Sequence, residues 1–186
     1  MSDFAAVWRS IQHGLTALAL AALLPAQAMG SKPANEMLPA PVEGYNHTSA
    51  AINRFSVNGA GGPNVGAYQG GGSQTCCAAL PRQWRRGLMA TVEWQKDAKP
   101  YDSANWPYKY GSIEWIQASE RHKKQYYSNH RAVVEIPRYD KSCGLNVHFL
   151  PCNQVKVVTY CGGYYGDPGY PVQGPIRMEE PKSCPK

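Results

Sequence analysis

Cysteine and histidine are the residues of this chain best suited to redox, metal or acid–base chemistry. The cysteines are Cys76, Cys77, Cys143, Cys152, Cys161 and Cys184, and the histidines beyond the N-terminal segment are His47, His122, His130 and His148. They form no CxxC pair, no second ligand pair at zinc spacing and no HExxH motif. The spacing therefore predicts no cofactor and no metal site, and it favours structural disulfides.

Two of the cysteines, Cys76 and Cys77, are adjacent in the chain, and we expect them not to bond to each other. Their Cα atoms should lie about 3.8 Å apart across a trans peptide, which is below the usual disulfide range. In an extended segment their side chains point to opposite faces. Each is therefore expected to have its own partner elsewhere, or one of them to remain a buried thiol.

One disulfide follows from a predicted hairpin in the C-terminal half of the chain. Residues 145–150 and 155–160 alternate as two short strands with a brief connection between them. With a three-residue loop and antiparallel register, Cys143 lies opposite Cys161. We therefore predict a bond between these two cysteines, which a register slip of one residue would prevent.

The sequence offers few polar side chains with the spacing that catalysis needs. Asn46, His47 and Thr48 are the best candidate for a polar site, although side chains of these types more often stabilise a turn. His148 alternates with apolar residues on its predicted strand, so we expect it to face away from the core, in solvent or a groove. Residues 71–75 fail the GxSxG nucleophile elbow at the last position. The sequence thus predicts a protein that is not an enzyme.

A basic aromatic cluster is the candidate partner contact. It consists of Arg82, Trp84, Arg85 and Arg86, and arginine and tryptophan are enriched at binding hot spots. The alternative is a solvated loop beside a buried tryptophan. The net charge of +6 permits nucleic-acid, anionic-membrane or acidic-protein partners. The secretory signal that we expect at residues 1–28 disfavours nucleic acid as the partner.

Strands and turns are the elements that must position these residues. A hydrophobic content of 43% with 18 glycines and 15 prolines favours a packed core with many turns. Alternating apolar residues at 52–58, 88–94 and 132–136, with the hairpin above, predict about five strands. Residues 112–131 suit a short helix or an irregular strand. The glycines at 70–72 predict a turn or a close approach of two backbone segments. We predict a mainly β fold, a compact antiparallel β-sandwich-like domain with long Gly/Pro-rich loops and disulfides.

The chain divides into three parts. Residues 1–28 have the features of a secretory signal, with a short apolar run at 15–24 and a small-x-small cleavage pattern at 26–28. Residues 29–43 are expected to be a Pro-rich linker, and residues 44–186 a single β-rich domain. The apolar run is shorter than the roughly 20 residues that span a bilayer. We therefore expect no stable membrane insertion after cleavage, with a retained anchor as the alternative.

An ordered string of motifs resembles a known family. The motifs are GYNHT (44–48), IxxFxVNG (52–59), a glycine-rich loop, CC (76–77), LPxxW (80–84), GLxxxVxW (87–94), VxIPxY (134–139) and LxVHFLP (145–151). Over Gly44 to Val158 the chain resembles an uncharacterised family of small bacterial envelope proteins. Many members are lipoproteins, often encoded beside type VI secretion genes and phospholipase-like effectors.

The resemblance implies an immunity or accessory role. The protein would bind and occlude a secreted, lipase-like effector protein, with no cofactor and no catalytic residues. An envelope binding or structural module with another ligand is the alternative. No cysteine lies near the predicted cleavage point, so we expect a soluble periplasmic protein and not a lipoprotein.

Signal cleavage is the first testable prediction. Cleavage after Ala28 should leave Met29 as the mature N-terminus, because the small residues at 26 and 28 fit the peptidase pattern. N-terminal sequencing and intact mass of the periplasmic protein measure this. Recovery of the full-length chain in the cytosol would contradict it.

Overall fold

The computed structural model describes residues 35–185, so the expected signal peptide and the first part of the expected linker lie outside it. Within this range the strands are Met37–Asn46 (β1), Ala51–Val57 (β2), Ala60–Gly62 (β3), Gly70–Pro81 (β4), Met89–Asp97 (β5), Tyr127–Glu135 (β6), Leu145–Leu150 (β7) and Gln154–Val158 (β8). The helices are Ile113–Tyr126 (α1) and two short 3-10 turns, Asp102–Asn105 and Pro151–Asn153. None of these helices is long and apolar enough to cross a bilayer.

The strands form two four-stranded sheets, which confirms the predicted mainly β, sandwich-like fold. Sheet A has the order β4-β1-β7-β8 and sheet B the order β3-β2-β5-β6. Neighbouring strands are antiparallel except β1 and β7, which run parallel. Edge strands β3 and β4 of the two sheets approach each other, and the Thr75 hydroxyl donates to the Gly61 carbonyl at 2.6 Å.

The core lies where the inner faces of the two sheets meet. On β5 the alternation predicted from sequence is present, with Ala90, Val92 and Trp94 buried. The Phe149 ring of sheet A packs edge-on against Phe55 of sheet B, with ring centroids 5.1 Å apart. Burying a large apolar side chain contributes about 1.5–3 kcal/mol. These contacts therefore hold the sheets together and set which face of each strand is turned away from the core.

The expected linker is wrong in its second half, because residues 37–43 belong to β1. Pro39 and Pro41 suggested a chain without regular structure, since proline lacks the backbone N–H that a ladder needs. Pairing with β7 begins only at Val42. The first half of β1 is therefore paired on one side, where proline is tolerated.

The glycine run begins strand β4 and is not a separate turn. A Cβ atom at Gly70 would lie 2.6 Å from the Cα of Tyr45, so β1 and β4 come closer there than a side chain allows. This is the close backbone approach that the sequence offered as one of two explanations. Gly71 has φ +75, which only glycine adopts readily.

The expectation that Cys76 and Cys77 have separate partners is wrong, because the two are bonded to each other. Their Cα atoms are 3.1 Å apart, closer than in a regular trans peptide. The pairing of β1 with β4 shifts here: Ala40 pairs with Ala78 but Val42 with Thr75. Two cysteines thus oppose one proline in a β-bulge, where the strict alternation of side chains no longer holds.

The other four cysteines tie down the C-terminal half of the chain. Cys143 is bonded to Cys161 as predicted, with Cα atoms 5.4 Å apart, and Leu150 pairs with Gln154 in the hairpin register on which the prediction relied. Cys152 in the β7–β8 turn is bonded to Cys184. The second bond anchors the end of residues 159–185, called the tail below, to sheet A.

The ambiguous segment 112–131 is helix α1 as far as Tyr126 and the beginning of strand β6 from Tyr127. Ser112 caps the helix, accepting a hydrogen bond from the Trp115 amide, and lysines occupy its last turn. The chain leaves sheet B after Asp97 and returns at Tyr127, and these two residues are paired. Residues 98–126, called the helical arm below, are therefore an excursion from one end of the β5–β6 hairpin.

The length of the loop that each disulfide closes predicts how much stability is lost when Cys143–Cys161 or Cys76–Cys77 is removed. Replacing Cys143 and Cys161 together by serine should lower the free energy of unfolding by about 3 kcal/mol, because their sequence separation is 18. Replacing Cys76 and Cys77, whose separation is 1, should cost much less because that bond closes no loop. Urea unfolding of both double variants measures the difference. Equal losses would contradict the prediction.

Candidate functional site

The predicted polar site lies where β1 ends. Asn46, His47 and Thr48 are all buried. The Asn46 carboxamide oxygen accepts from the backbone N–H and the hydroxyl of Thr48, at 3.1 and 2.9 Å. Its Nδ2 donates to the carbonyls of Ala50 and Gly66. Asn46 and Thr48 thus stabilise the turn into β2, as the structural interpretation of the motif predicted.

His47 instead joins a chain of hydrogen bonds that crosses the outer face of sheet A. Its Nε2 lies 3.0 Å from Nδ1 of His148, on the parallel neighbour strand β7. His148 Nε2 lies 2.9 Å from the hydroxyl of Tyr170. The same hydroxyl accepts from Asn146 Nδ2 at 2.9 Å, and His47 Nδ1 lies 3.2 Å from the Pro175 carbonyl. We call His47, Asn146, His148 and Tyr170 the histidine relay.

The hydrogen-bond partners at the two ends of the relay determine which ring nitrogens of His47 and His148 carry a proton. The Pro175 carbonyl only accepts, so His47 Nδ1 carries a proton and its Nε2 accepts from His148 Nδ1. His148 Nε2 then accepts from Tyr170, whose oxygen accepts from Asn146. Every donor has an acceptor when both imidazoles are neutral. A proton added to His47 would place two N–H groups against each other.

Burial favours the same protonation states. Both histidines are fully buried, and desolvation lowers the pKa of His148 to about 3, with smaller contributions from His47 and Lys156. Burial also lowers the pKa of His47, although the backbone contacts near Pro175 oppose that shift. Desolvation raises the pKa of Tyr170 to about 12. At neutral pH the relay is uncharged.

The C-terminal tail covers the relay. Tyr165 and Tyr170 pack against the His148 ring with centroids 5.4 and 5.6 Å away, and Tyr45 stacks on it at 4.8 Å. The Met178 amide donates to the His47 carbonyl at 2.9 Å. His148 does face away from the sandwich core, as expected. The expectation of solvent or a groove is wrong, because the tail covers it.

The histidine relay is therefore enclosed beneath the tail. All four imidazole nitrogens of His47 and His148 have a hydrogen-bond partner within the relay or on the backbone. The one grouping of potential metal ligands in residues 35–185 is Cys152, Glu180 and Cys184. Its two sulfurs form a disulfide, which leaves no thiolate for a metal.

The basic aromatic cluster that was predicted as a partner contact has a packed part, Arg82 and Trp84, and an exposed part, Arg85 and Arg86. The Trp84 indole donates to the Ile136 carbonyl at 2.9 Å, and its ring packs against the core. Arg82 forms an ion pair with Glu36 at 2.7 Å. Arg85 and Arg86 are exposed in the turn before β5. The turn therefore presents two arginines, while the tryptophan anchors it.

Two groups of residues escaped the sequence prediction. Tyr170 and Asn146 gave no motif, because the relay forms only when the tail folds back over sheet A. No role was assigned from the sequence to the helical arm, in which Tyr110, Ile113 and Ile116 are exposed. A signal for the arm was present in the sequence, since seven tyrosines and tryptophans occur among residues 101–127.

Comparison with known proteins gives one family match. A family described as "Protein of unknown function (DUF3304)" matches residues 45–157. This segment includes both relay histidines and the helical arm and ends before the tail that covers the relay. Curated proteins and solved structures give no match to the chain.

The relay predicts that acid destabilises the fold. Because the folded-state pKa of His148 is about 3 and its usual value 6.5, the unfolded chain binds more protons between these pH values. The free energy of unfolding should therefore fall as the pH drops below about 6.5, by up to about 1.4 kcal/mol per pH unit for one histidine. Urea unfolding between pH 7 and 4.5 measures this slope.

A pair of variants identifies the source of the slope. His148→Gln should make the slope shallower, because glutamine takes up no proton, while the contribution of His47 remains. His130→Gln is the matched control: His130 is only partly buried, so most of the slope should remain. Parallel curves for wild type and His148→Gln would contradict the assignment.

Proposed function

The chain belongs to the DUF3304 family of proteins of unknown function, and we propose that it is a periplasmic immunity protein. It binds a type VI secretion effector of the lipase-like class and occludes it. The protein acts by stoichiometric binding and not by catalysis. The motif string described above supports this choice of partner, since similar proteins are encoded beside such effectors.

The observation that carries the proposal is the sealed histidine relay. His47 and His148 are the chain's best candidates for acid–base chemistry, and both are buried, neutral and fully hydrogen-bonded under the tail. A substrate would have to displace Tyr165 and Tyr170 to reach them. A molecule that commits these groups to internal structure is better suited to binding through its surface.

Three disulfides support a binding role in an oxidising compartment. The bonds Cys76–Cys77, Cys143–Cys161 and Cys152–Cys184 involve all six cysteines of the sequence. Disulfides form and persist in exported proteins, which agrees with the expected signal at residues 1–28. A cross-linked scaffold also loses little conformational entropy when it binds, which favours a tight complex.

Charge and exposed arginines support an acidic protein as the partner. The net charge of +6 speeds encounter with a negatively charged surface. Arg85 and Arg86 are free of the packing that holds Trp84, so they are the members of the basic cluster available for contact. An envelope binding or structural module with another ligand remains the alternative function.

Competition between sibling cells tests the immunity function. A strain that lacks this gene should be killed by neighbours that deliver the active lipase-like effector. It should survive neighbours that deliver the effector with its nucleophilic serine replaced by alanine. Survival counts after co-culture measure the difference. Equal survival in both cultures would remove the immunity function and leave the envelope module.

Complementation shows where the protein acts. The gene with its signal should restore survival, because the mature protein then meets the effector in the periplasm. The gene without residues 1–28 should not restore it. Rescue by both versions would contradict a periplasmic site of action.

A further inference from the structure

The helical arm is attached to the end of strand β5 by a hydrogen bond between a histidine and an aspartate. His122 of α1 lies with its Nε2 atom 3.1 Å from each carboxylate oxygen of Asp97. Asp97 also accepts from the Lys99 amide at 2.9 Å, which fixes the position of the carboxylate. The side chains of His122 and Asp97 are only 10% and 8% exposed. The imidazole ring is therefore held in one orientation at the base of the arm.

This orientation leaves the other ring nitrogen of His122 without a partner. A carboxylate only accepts, so Nε2 carries the proton that lies between His122 and Asp97. In the neutral ring, Nδ1 then presents a lone pair. Residues 35–185 provide no hydrogen-bond partner for Nδ1, yet the atom is not closed off from solvent. A side chain that is nine-tenths buried thus keeps one acceptor available to a ligand.

The free nitrogen of His122 opens on a cleft in the arm. His122 lines this cleft of about 270 Å³, whereas its partner Asp97 does not, so the accessible edge of the ring is turned into the cleft. Trp106, Tyr108 and Tyr126 form aromatic walls. The Trp106 ring packs edge-on against His122 with centroids 5.7 Å apart, and the Tyr126 ring lies 4.9 Å from it. This space, called the arm cleft below, combines apolar ring surface with a hydrogen-bond acceptor.

Three further polar side chains line the arm cleft. They are Asp102, Arg121 and Gln125, and the last two are exposed. Within residues 35–185 none of the three side chains forms a hydrogen bond or an ion pair. A guanidinium group donates, a carboxylate accepts and a carboxamide does both. The arm cleft therefore offers donors and acceptors that the fold itself does not use.

The charges around the arm cleft favour an uncharged ligand. Arg121 and Asp102 line it together, and their charges cancel. A cation would compete with Lys99, whose Nζ lies 5.0 Å from the centroid of the Tyr126 ring. An anion would gain Arg121 but would face Asp102 and the lone pair of His122 Nδ1. Neutral hydroxyl groups suit every one of these side chains, because a hydroxyl both donates and accepts.

We propose that the arm cleft binds a neutral pyranose sugar, with one hydroxyl donating to His122 Nδ1 and the C–H face of the ring resting on the aromatic walls. A pyranose ring carries hydroxyls around its rim and apolar C–H groups on its faces, as the lining of the cleft requires. The volume of about 270 Å³ is at the small end of ligand sites, which suits a short saccharide. For an exported protein, the glycans of the envelope present such rings. A sugar site goes beyond the proposed immunity function and does not depend on it.

Titration of the mature protein with small sugars tests the proposal. The probe is N-acetylglucosamine, and NMR follows the indole N–H of Trp106. The signal should shift saturably with a Kd of the order of 1 mM, as befits a ligand of so few atoms. Glucosamine and glucuronate place a positive or a negative charge on the same kind of ring and should bind several-fold more weakly. Mannitol has the hydroxyls without the ring and should leave the signal unchanged.

Two variants with matched controls identify the contacts. His122→Gln keeps an amide N–H that reaches Asp97 but has no acceptor at the position of Nδ1, so it should raise Kd about tenfold. His130→Gln is its control, because His130 is a partly buried histidine beside another tryptophan, outside the arm cleft. Tyr108→Ser, at a side chain 39% exposed, should also weaken binding, whereas Tyr164→Ser in the tail should not.

Three results would overturn the inference. The first is the absence of a saturable shift at Trp106 with N-acetylglucosamine up to the limit of its solubility. The second is tighter binding of glucosamine or glucuronate than of N-acetylglucosamine, which would make the arm cleft a site for charged ligands. The third is an unchanged Kd in His122→Gln or Tyr108→Ser. Circular dichroism and the unfolding midpoint check that each variant is folded, and if His122→Gln is not, Tyr108→Ser decides because it changes an exposed side chain.

Discussion

The packing of the tail on the outer face of sheet A depends on the hydrogen bond between His47 and His148. This bond joins the residue that follows β1 to strand β7, on the face of sheet A that is turned away from the sandwich core. Polar groups buried there cost free energy unless each has a partner. Tyr170 and the Pro175 carbonyl supply those partners, so the tail must lie across the sheet for the two histidines to be buried.

The tail in turn needs its own attachments, because its described residues, 159–185, form no helix or strand. Cys184 is bonded to Cys152 in the β7–β8 turn, and Glu180 accepts from the Cys152 amide at 2.8 Å. Met178 bonds to the backbone of His47. The disulfides and the relay thus act together: the bonds keep the tail near sheet A, and the relay sets where it lies.

The histidine relay and the helical arm differ in their exposure to solvent. His47, His148 and Tyr170 are buried and hydrogen-bonded under the tail, whereas Ile113 and Ile116 of the helical arm are exposed. Within the arm the Trp106 and Trp115 rings pack against each other, with centroids 5.8 Å apart.

The sequence alone determined whatever depends on periodicity and short separations: the buried face of β5, the β7–β8 register and the Cys143–Cys161 bond that follows from it. Period-2 alternation and a short loop suffice for these, because neighbouring residues impose them. Only the tertiary structure decided the Cys76–Cys77 bond, because that bond needs the bulge opposite Pro41. It also decided the burial of His148, which needs the tail, where its partner Tyr170 lies 22 residues further along the chain. Contacts of that kind depend on how distant segments pack, and no local pattern encodes them.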